Sequence, residues 1–328
     1  MSKNYTQLSQ GQRYQIAALV KAGQRQKKIA SVVGVSISTI SRELRRNGSC
    51  KGYDPLRAQE KCATRHRKKR KRVRFTMVME TYIASKLTEE KYSPEIISIL
   101  GKGEFGDFIS HEWIYQWIWA RKQDYRQANH YRKLYQHLRH GRHRQRRGHR
   151  RERRGVIVPN RVFIDKRPGI VKKRKRLGDY EVDLMIGANH KGALVVITDR
   201  ATLLTRLQKV SSKDSKEVQL AILRSLKGKL PIHTLTFDND KAFGLHELIG
   251  KKLNAKTYFT RPYCSQDKGT VENRIGVLRR FFPKKTDLNK VSDQMVKAVQ
   301  DKLNNRPVRK FQYKTPNQCF SDKIALMG

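Results

Sequence analysis

The chain runs to 328 residues, long enough for two or more domains with at least one real core. Lysine and arginine number 73 against 28 aspartates and glutamates, a formal charge of +45. Such an excess repels itself in the folded state and points to a polyanionic partner, with nucleic acid the best fit. A membrane fits poorly: there is no apolar run of about 18 residues, and the basic stretches lack the Trp/Leu-rich face of an interfacial helix. The opening MSKNYTQLSQGQR has no apolar signal segment. Cys50, Cys62, Cys264 and Cys319 form no CxxC pair, so neither a disulfide frame nor a zinc site is expected, and a reducing cytoplasm is.

Residues 11–48 divide into three short helical patterns. Ile16, Leu19 and Val20 form the first apolar stripe, Ile29, Val32 and Val33 the second, and Ile37, Ile40 and Leu44 the third. Gly34-Val35-Ser36 is the turn before the last helix. Helix, Gly-containing turn and polar-faced helix is the helix-turn-helix pattern, whose last helix enters the major groove. Ser36, Ser38, Thr39, Ser41, Arg42, Arg45 and Arg46 lie off the apolar stripe and are the candidate DNA contacts. An ordinary three-helix core with a solvated face is the alternative.

A like-charged block, RHRKKRKRVR, follows at 65–74. Between Ser93 and Ala120 a second helical pair is expected. Ser93 is its first N-cap, with Pro94 at the first helical position and Glu95 in the first turn. Ser110 caps HEWIYQWIWA, whose Trp113, Ile114, Trp117 and Ile118 share one face. This pair is either a second DNA-binding unit or a packing and dimerising one. From Arg121 to Arg154 arginine and histidine dominate, and too little can be buried to offset ordering entropy, so a flexible linker that tightens on phosphates is expected. The His143-x-x-Arg146 spacing inside it mimics a tyrosine-recombinase motif, but a tract so rich in both residues produces that match by composition alone.

Beyond the linker the pattern becomes strand-like. YEVDLMIG (180–187), ALVVITDR (193–200) and LLTRLQKV (203–210) read as an antiparallel meander. A helix at 215–229, a strand HTLTFD (233–238), a strand TYFT (257–260) and helical sequence between and after complete a mixed sheet with helices on its faces. That order matches a ribonuclease-H-like fold. The expected class is therefore α/β, a ribonuclease-H-like mixed-sheet core preceded by an all-α helix-turn-helix region. The expected divisions are 1–50, 51–120, a basic linker at 121–172 and the core at 173–328.

Asp183 and Asp238 interrupt hydrophobic strands, where a carboxylate costs several kcal/mol unless paired or metal-bound. A salt bridge to an arginine would explain either one alone. In KGTVENRIGVLRRFFPKK (268–285), Val271, Ile275, Leu278 and Phe282 form a helical stripe. At about 100° per residue Glu272 falls on its shoulder beside Gly276 and Arg279, so it is expected to project at the sheet edge instead of into solvent. Three converging carboxylates in a basic protein suit hard Mg²⁺ or Mn²⁺. Two such ions roughly 3.5–4 Å apart support phosphoryl transfer. Arg279, Arg280 and neighbouring lysines are expected to hold the DNA backbone.

These blocks together resemble the IS30 family of bacterial insertion-sequence transposases, DDE enzymes with an integrase-like core. GDYEVDLMIG is similar to the family's first-Asp motif, LTFDNDKAF to its second, and PYCSQDKGTVENRIGVLRRFFPKKTD to its Glu motif. LNNRPVRKFQYKTPNQCF (303–320) resembles the block that closes the domain. The 33 residues between Asp238 and Glu272 equal the family's separation. The chain departs from the pattern at Asp179-Tyr180, Asp240, Ala242, Gln266 and Ile275-Gly276. Asp179, Glu181, Asp199 and Asp240 are further acids nearby, and only Asp183, Asp238 and Glu272 match family positions. The resemblance implies catalysis and metal binding by those three. It also implies terminal inverted repeats and target DNA as partners, a homodimer or larger assembly on DNA, and a bacterial, nucleoid-associated setting. A non-catalytic DNA-binding regulator derived from a transposase is the main alternative. A basic RNA-binding protein explains the charge but not the spaced acids.

Overall fold

The N-terminal helices form where caps and apolar spacing coincide. Ser9 starts α1 (Gln10–Lys21) with a reciprocal capping box to Gln12, and Gly34, in the left-handed region at φ 73°, ends α2 (Gln26–Val33). Ser36 caps α3 (Ile37–Asn47) by accepting from the Thr39 N–H. Ile16, Ile29, Ala30, Val33 and Ile40 are buried together. Val32 and Ile37, expected inside, are 52% and 49% exposed, while Ala30 is buried in this core. A fourth helix, α4 (Pro55–Lys68), escapes the periodicity reading because basic residues outnumber apolar ones along it. A buried ion pair ties this group: Arg13 Nε donates to Glu43 Oε1 at 2.9 Å, Tyr53 donates to the same oxygen, and Arg13 Nη1 reaches Gln59 on α4.

The computed structural model describes residues 7–50, 52–68, 75–126, 128–139, 158–228, 231–261 and 264–326. These fall into two compact units, Met1–Arg74 and Phe75–Gly328. The second unit opens with α5 (Met77–Thr88), α6 (Pro94–Phe105) and α7 (His111–Gln123), the last two capped by Ser93 and Ser110 as the sequence suggests. Within the stretch read as linker, α8 (Asn129–Arg132) and the turn after it are packed. Leu134 is buried, and Tyr131 and Tyr135 meet Trp117 and Trp119, aromatic surface that the Arg/His-rich composition obscures. Residues 140–157, including His143 and Arg146, lie outside the described residues.

After α9 (Gly169–Lys172) comes a five-stranded sheet made of β1 (Asp179–Ile186), β2 (Ala193–Asp199), β3 (Thr205–Val210), β4 (Thr234–Phe237) and β5 (Lys256–Phe259). Its spatial order is β3-β2-β1-β4-β5, with the first three antiparallel and β1-β4-β5 parallel. This is the ribonuclease-H-like mixed sheet. Helices α10 (Ser215–Leu226) and α11 (His246–Leu253) join the core on one face, with Val182, Ile197, Leu235 and Phe237. On the other, α12 (Gly269–Leu278) and α13 (Asp293–Asn304) enclose Met185, Leu194, Val196 and Leu207, and α14 (Pro316–Ala325) closes the chain. Every residue of β2 is buried, as expected for a strand covered on both faces.

Candidate active site

Side chains alternate across a strand, so Tyr180 and Val182 join the α10 side while Glu181, Asp183 and Met185 face α12. The parallel register of β1 and β4 pairs Asp179 with Thr234 and Glu181 with Thr236. Two residues further on, past the end of β4, stand Asp183 and Asp238. Strand neighbours thus deliver both acids to the carboxyl end of β4, the usual ligand edge of such sheets.

They meet at Lys268, in the turn leading into α12. Its Nζ lies 3.1 Å from Asp183 Oδ2 and 3.4 Å from Asp238 Oδ2, and the residue is 4% exposed. Burial opposes the Lys268 charge, yet the two carboxylates outweigh it and hold the ammonium above its ordinary range. Burial pushes the Asp238 carboxyl up; Lys268 pulls it back, while Asp183 and Asp240 add to the rise. Asp183 Oδ1 accepts from the Leu184 N–H at 2.8 Å. Sequence reading missed Lys268, which is one lysine in a basic tract until the fold brings it to both aspartates.

The other nearby acids are each engaged by protein donors. Asp179 accepts from Arg176 and from the Thr234 hydroxyl. Asp199 accepts from the Gly178, Ala201 and Thr202 N–H groups and the Thr202 hydroxyl. Asp240 pairs with Lys213 and accepts from the Ala242 N–H; these hold it below the ordinary range although burial pulls upward. Glu181 is fully buried between Arg200 and the Val271 N–H.

Glu272 sits on α12, exposed, among Asn273 and Gly276, opposite the buried Val271, Arg274 and Leu278. It therefore projects further outward than the shoulder position expected. Among the described residues no group of three or more His, Cys, Asp and Glu side chains is gathered closely enough to hold a metal. Two of the three expected acids share a cation, and Glu272 stands apart from that pair.

Arg279 and Arg280, expected on DNA, turn one amino group each onto protein carbonyls, those of Ile186 (2.7 Å) and His137. Both are half-buried, and burial lowers their guanidinium pKa values, Arg280 to about 10, with Arg306 and Arg139 adding to the effect. Arg279 thereby joins the end of α12 to the last residue of β1, and Arg280 joins it to the turn after α8. In the N-terminal unit Ser36, Ser38, Ser41, Arg42, Arg45 and Arg46 are exposed and Thr39 is half-buried. The Ser36 hydroxyl is engaged in capping α3, and Arg42 donates to the Ser38 carbonyl and hydroxyl. A groove of about 900 Å³ runs between α3 and α4, lined by Arg42, Arg46, Lys61, Arg65, His66 and Lys68 among others.

The transposase for insertion sequence element IS4351 of Bacteroides fragilis is 40% identical to this chain, over 99% of it and 97% of that relative. The transposase for IS1086 of Cupriavidus metallidurans is 30% identical over 98% and 96%, and that for IS30A of Escherichia coli K12 is 31% identical over 97% and 84%. The chain belongs to the IS30 family of insertion-sequence transposases. The helix-turn-helix domain family matches residues 4–47 of this IS30-family chain. Similar solved structures include the catalytic core domain of BIV integrase, at 18% identity and TM-score 0.36, covering 46% of this chain and 97% of that one. A simian T-cell lymphotropic virus intasome structure matches at 18% identity and TM-score 0.37, covering 54% and 59%. Among the described residues of this family member, no helix is long and apolar enough to cross a membrane.

Proposed function

We infer that the protein is a DNA transposase that binds the ends of an insertion sequence and cuts and joins DNA at Asp183, Asp238 and Glu272. The observation that carries this is the pair Asp183–Asp238, brought by adjacent strands onto a single cation, Lys268 Nζ, in a chain of transposase ancestry. That ammonium is a stand-in for a metal: the donors are carboxylate oxygens, the set a hard divalent ion takes. Asp183 and Asp238, with Glu272 drawn in from α12, would hold Mg²⁺ or Mn²⁺, two ions per site. Bound there, the metal supplies the positive charge that activates the attacking oxygen and stabilises the leaving one.

The chain's own groups perform the rest. Asp183 is oriented by the Leu184 N–H, and Lys268 keeps the two aspartates from repelling each other apart. Water is the nucleophile of the first cut, releasing a 3′-hydroxyl, which then attacks a target phosphodiester with departure of the target's own 3′-oxygen. Both nucleophiles are external, so no covalent protein–DNA bond is needed. Holding two ends and a target together calls for a homodimer or larger assembly. The exposed face of α3 with the basic groove beside α4 is the surface for duplex DNA.

The reading is tested by incubating the protein with labelled element-end duplex and Mg²⁺ and mapping the product. A nick at the element boundary is expected; a gel shift without a nick in either Mg²⁺ or Mn²⁺ favours the non-catalytic regulator instead. If about 6–10 phosphates are contacted, affinity should fall by about 10³–10⁵ between 50 and 200 mM salt. Arg42→Ala and Arg45→Ala should each weaken end binding, about 1–3 kcal/mol more on the true end than on random duplex if they read bases. Equal losses on both duplexes would make them phosphate contacts only.

A further inference from the structure

The helix that carries Glu272 begins without a cap of its own. The residue at the N-cap of α12, Lys268, makes no side-chain cap hydrogen bond. The first N–H groups of a helix have no intrahelical partner, and leaving one buried and unmet is costly. At Val271, the third residue of α12, the missing acceptor comes from another element: Glu181 Oε2, on β1, accepts the Val271 N–H at 2.9 Å. A carboxylate is the preferred acceptor at this end of a helix, where the peptide dipoles leave partial positive charge.

Glu181 is itself held. It is completely buried, and its other oxygen accepts from Arg200 Nη1 at 2.6 Å. Arg200, 4% exposed, follows the last residue of β2, so the carboxylate is clamped from the strand on one side and bears on the helix on the other. In sequence Glu181 is two residues from Asp183 on the same face of β1, and Val271 directly precedes Glu272. One side chain thus joins the backbone that carries the first acid to the backbone that carries the third.

We propose that Glu181 is a positioning residue of the strand-transfer site, a strut from Arg200 to the first turn of α12 that sets the rotation and height of Glu272 over β1. The proposal rests on the reading of Glu272 as a catalytic carboxylate. It explains why a buried glutamate on the same strand as Asp183 does not join the Lys268 cluster. Arg200 has its own part in the strut, fixing the orientation in which Glu181 presents Oε2 to the helix.

The test uses the full chain and three variants. Glu181→Gln keeps an oxygen for the Val271 N–H. Because Glu181→Ala would leave Arg200 charged and alone in the core, the second variant is the double change Glu181→Leu with Arg200→Leu, which removes both charges together. Glu272→Gln is the reference. Hydrogen exchange over residues 269–278, end-DNA affinity, and kcat and KM for Mn²⁺-dependent end cleavage are measured for each. In the double variant, exchange at the start of α12 should accelerate while the β2 and β4 amides stay protected. Its kcat should fall about 100-fold, the usual effect of a misplaced catalytic group, with KM for DNA unchanged. Glu181→Gln should recover at least a tenth of wild-type kcat.

A folded double variant with wild-type exchange in α12, or with wild-type kcat, overturns the proposal. So does Glu181→Gln with protected α12 and a kcat as low as the double variant's. Wild-type cleavage by Glu272→Gln would overturn the assignment of Glu272 instead, while the exchange data still report whether the strut exists.

Discussion

Asp183→Asn is expected to bind element-end DNA as wild type does and to lose Mg²⁺- or Mn²⁺-dependent cleavage by about 10³-fold or more, a barrier increase of roughly 4 kcal/mol. Asparagine has the same shape, and its amide oxygen can still accept the Leu184 N–H that orients the native side chain. What it lacks is the charge, and charge at the reacting phosphate is usually the largest single contribution to such chemistry. The separation of effects is structural: α3 lies in the N-terminal compact unit and Asp183 in the other, so the substitution leaves the packing of α3 as it is. Gel shifts and end cleavage on the same preparations check it. Undiminished cleavage by Asp183→Asn would remove the site.

Lys268→Met should tighten Mn²⁺ binding at least tenfold, about 1.4 kcal/mol, and lower the stability of the metal-free protein. In the native chain the ammonium lies 3.1 and 3.4 Å from the same two oxygens that a divalent ion would take. A unit charge at such a distance contributes about 4 kcal/mol at the effective dielectric of a protein surface. Desolvation and side-chain ordering offset part of that, which is why a tenfold shift is the expected floor. Removing the ammonium leaves Asp183 and Asp238 facing each other unopposed, so thermal unfolding without metal should occur at lower temperature. Weaker Mn²⁺ binding in Lys268→Met would mean instead that the lysine organises the site for the ion and does not compete with it.

The sheet was legible because its signals are local. β1 to β5 follow runs of β-branched and aromatic residues bounded by turns, and α12 follows the spacing of Val271, Ile275 and Leu278, ending before Phe282, which packs in the same core from beyond the helix. Asp183 and Asp238 stood out because a carboxylate within an apolar strand needs a partner. The partner itself was not legible: Lys268 is one lysine in a basic tract, and only the turn into α12 swings it under both aspartates. The same limit hid α4, whose single buried residue, Ala58, leaves almost no periodicity. Arg279 and Arg280 stand out in sequence by charge, and the carbonyls of Ile186 and His137 that they reach depend on tertiary packing. Glu181 reads as a spare acid in sequence and as a structural clamp in three dimensions.

The claim beneath all of this is that Asp183, Asp238 and Glu272 together hold divalent metal, and direct Mn²⁺ titration by calorimetry tests it without reference to activity. Asp183→Asn, Asp238→Asn and Glu272→Gln are each expected to weaken binding by about tenfold or more relative to the wild-type chain. Three variants that bind Mn²⁺ as wild type does would contradict it, and Glu272→Gln alone doing so would leave a two-aspartate site with the third acid elsewhere.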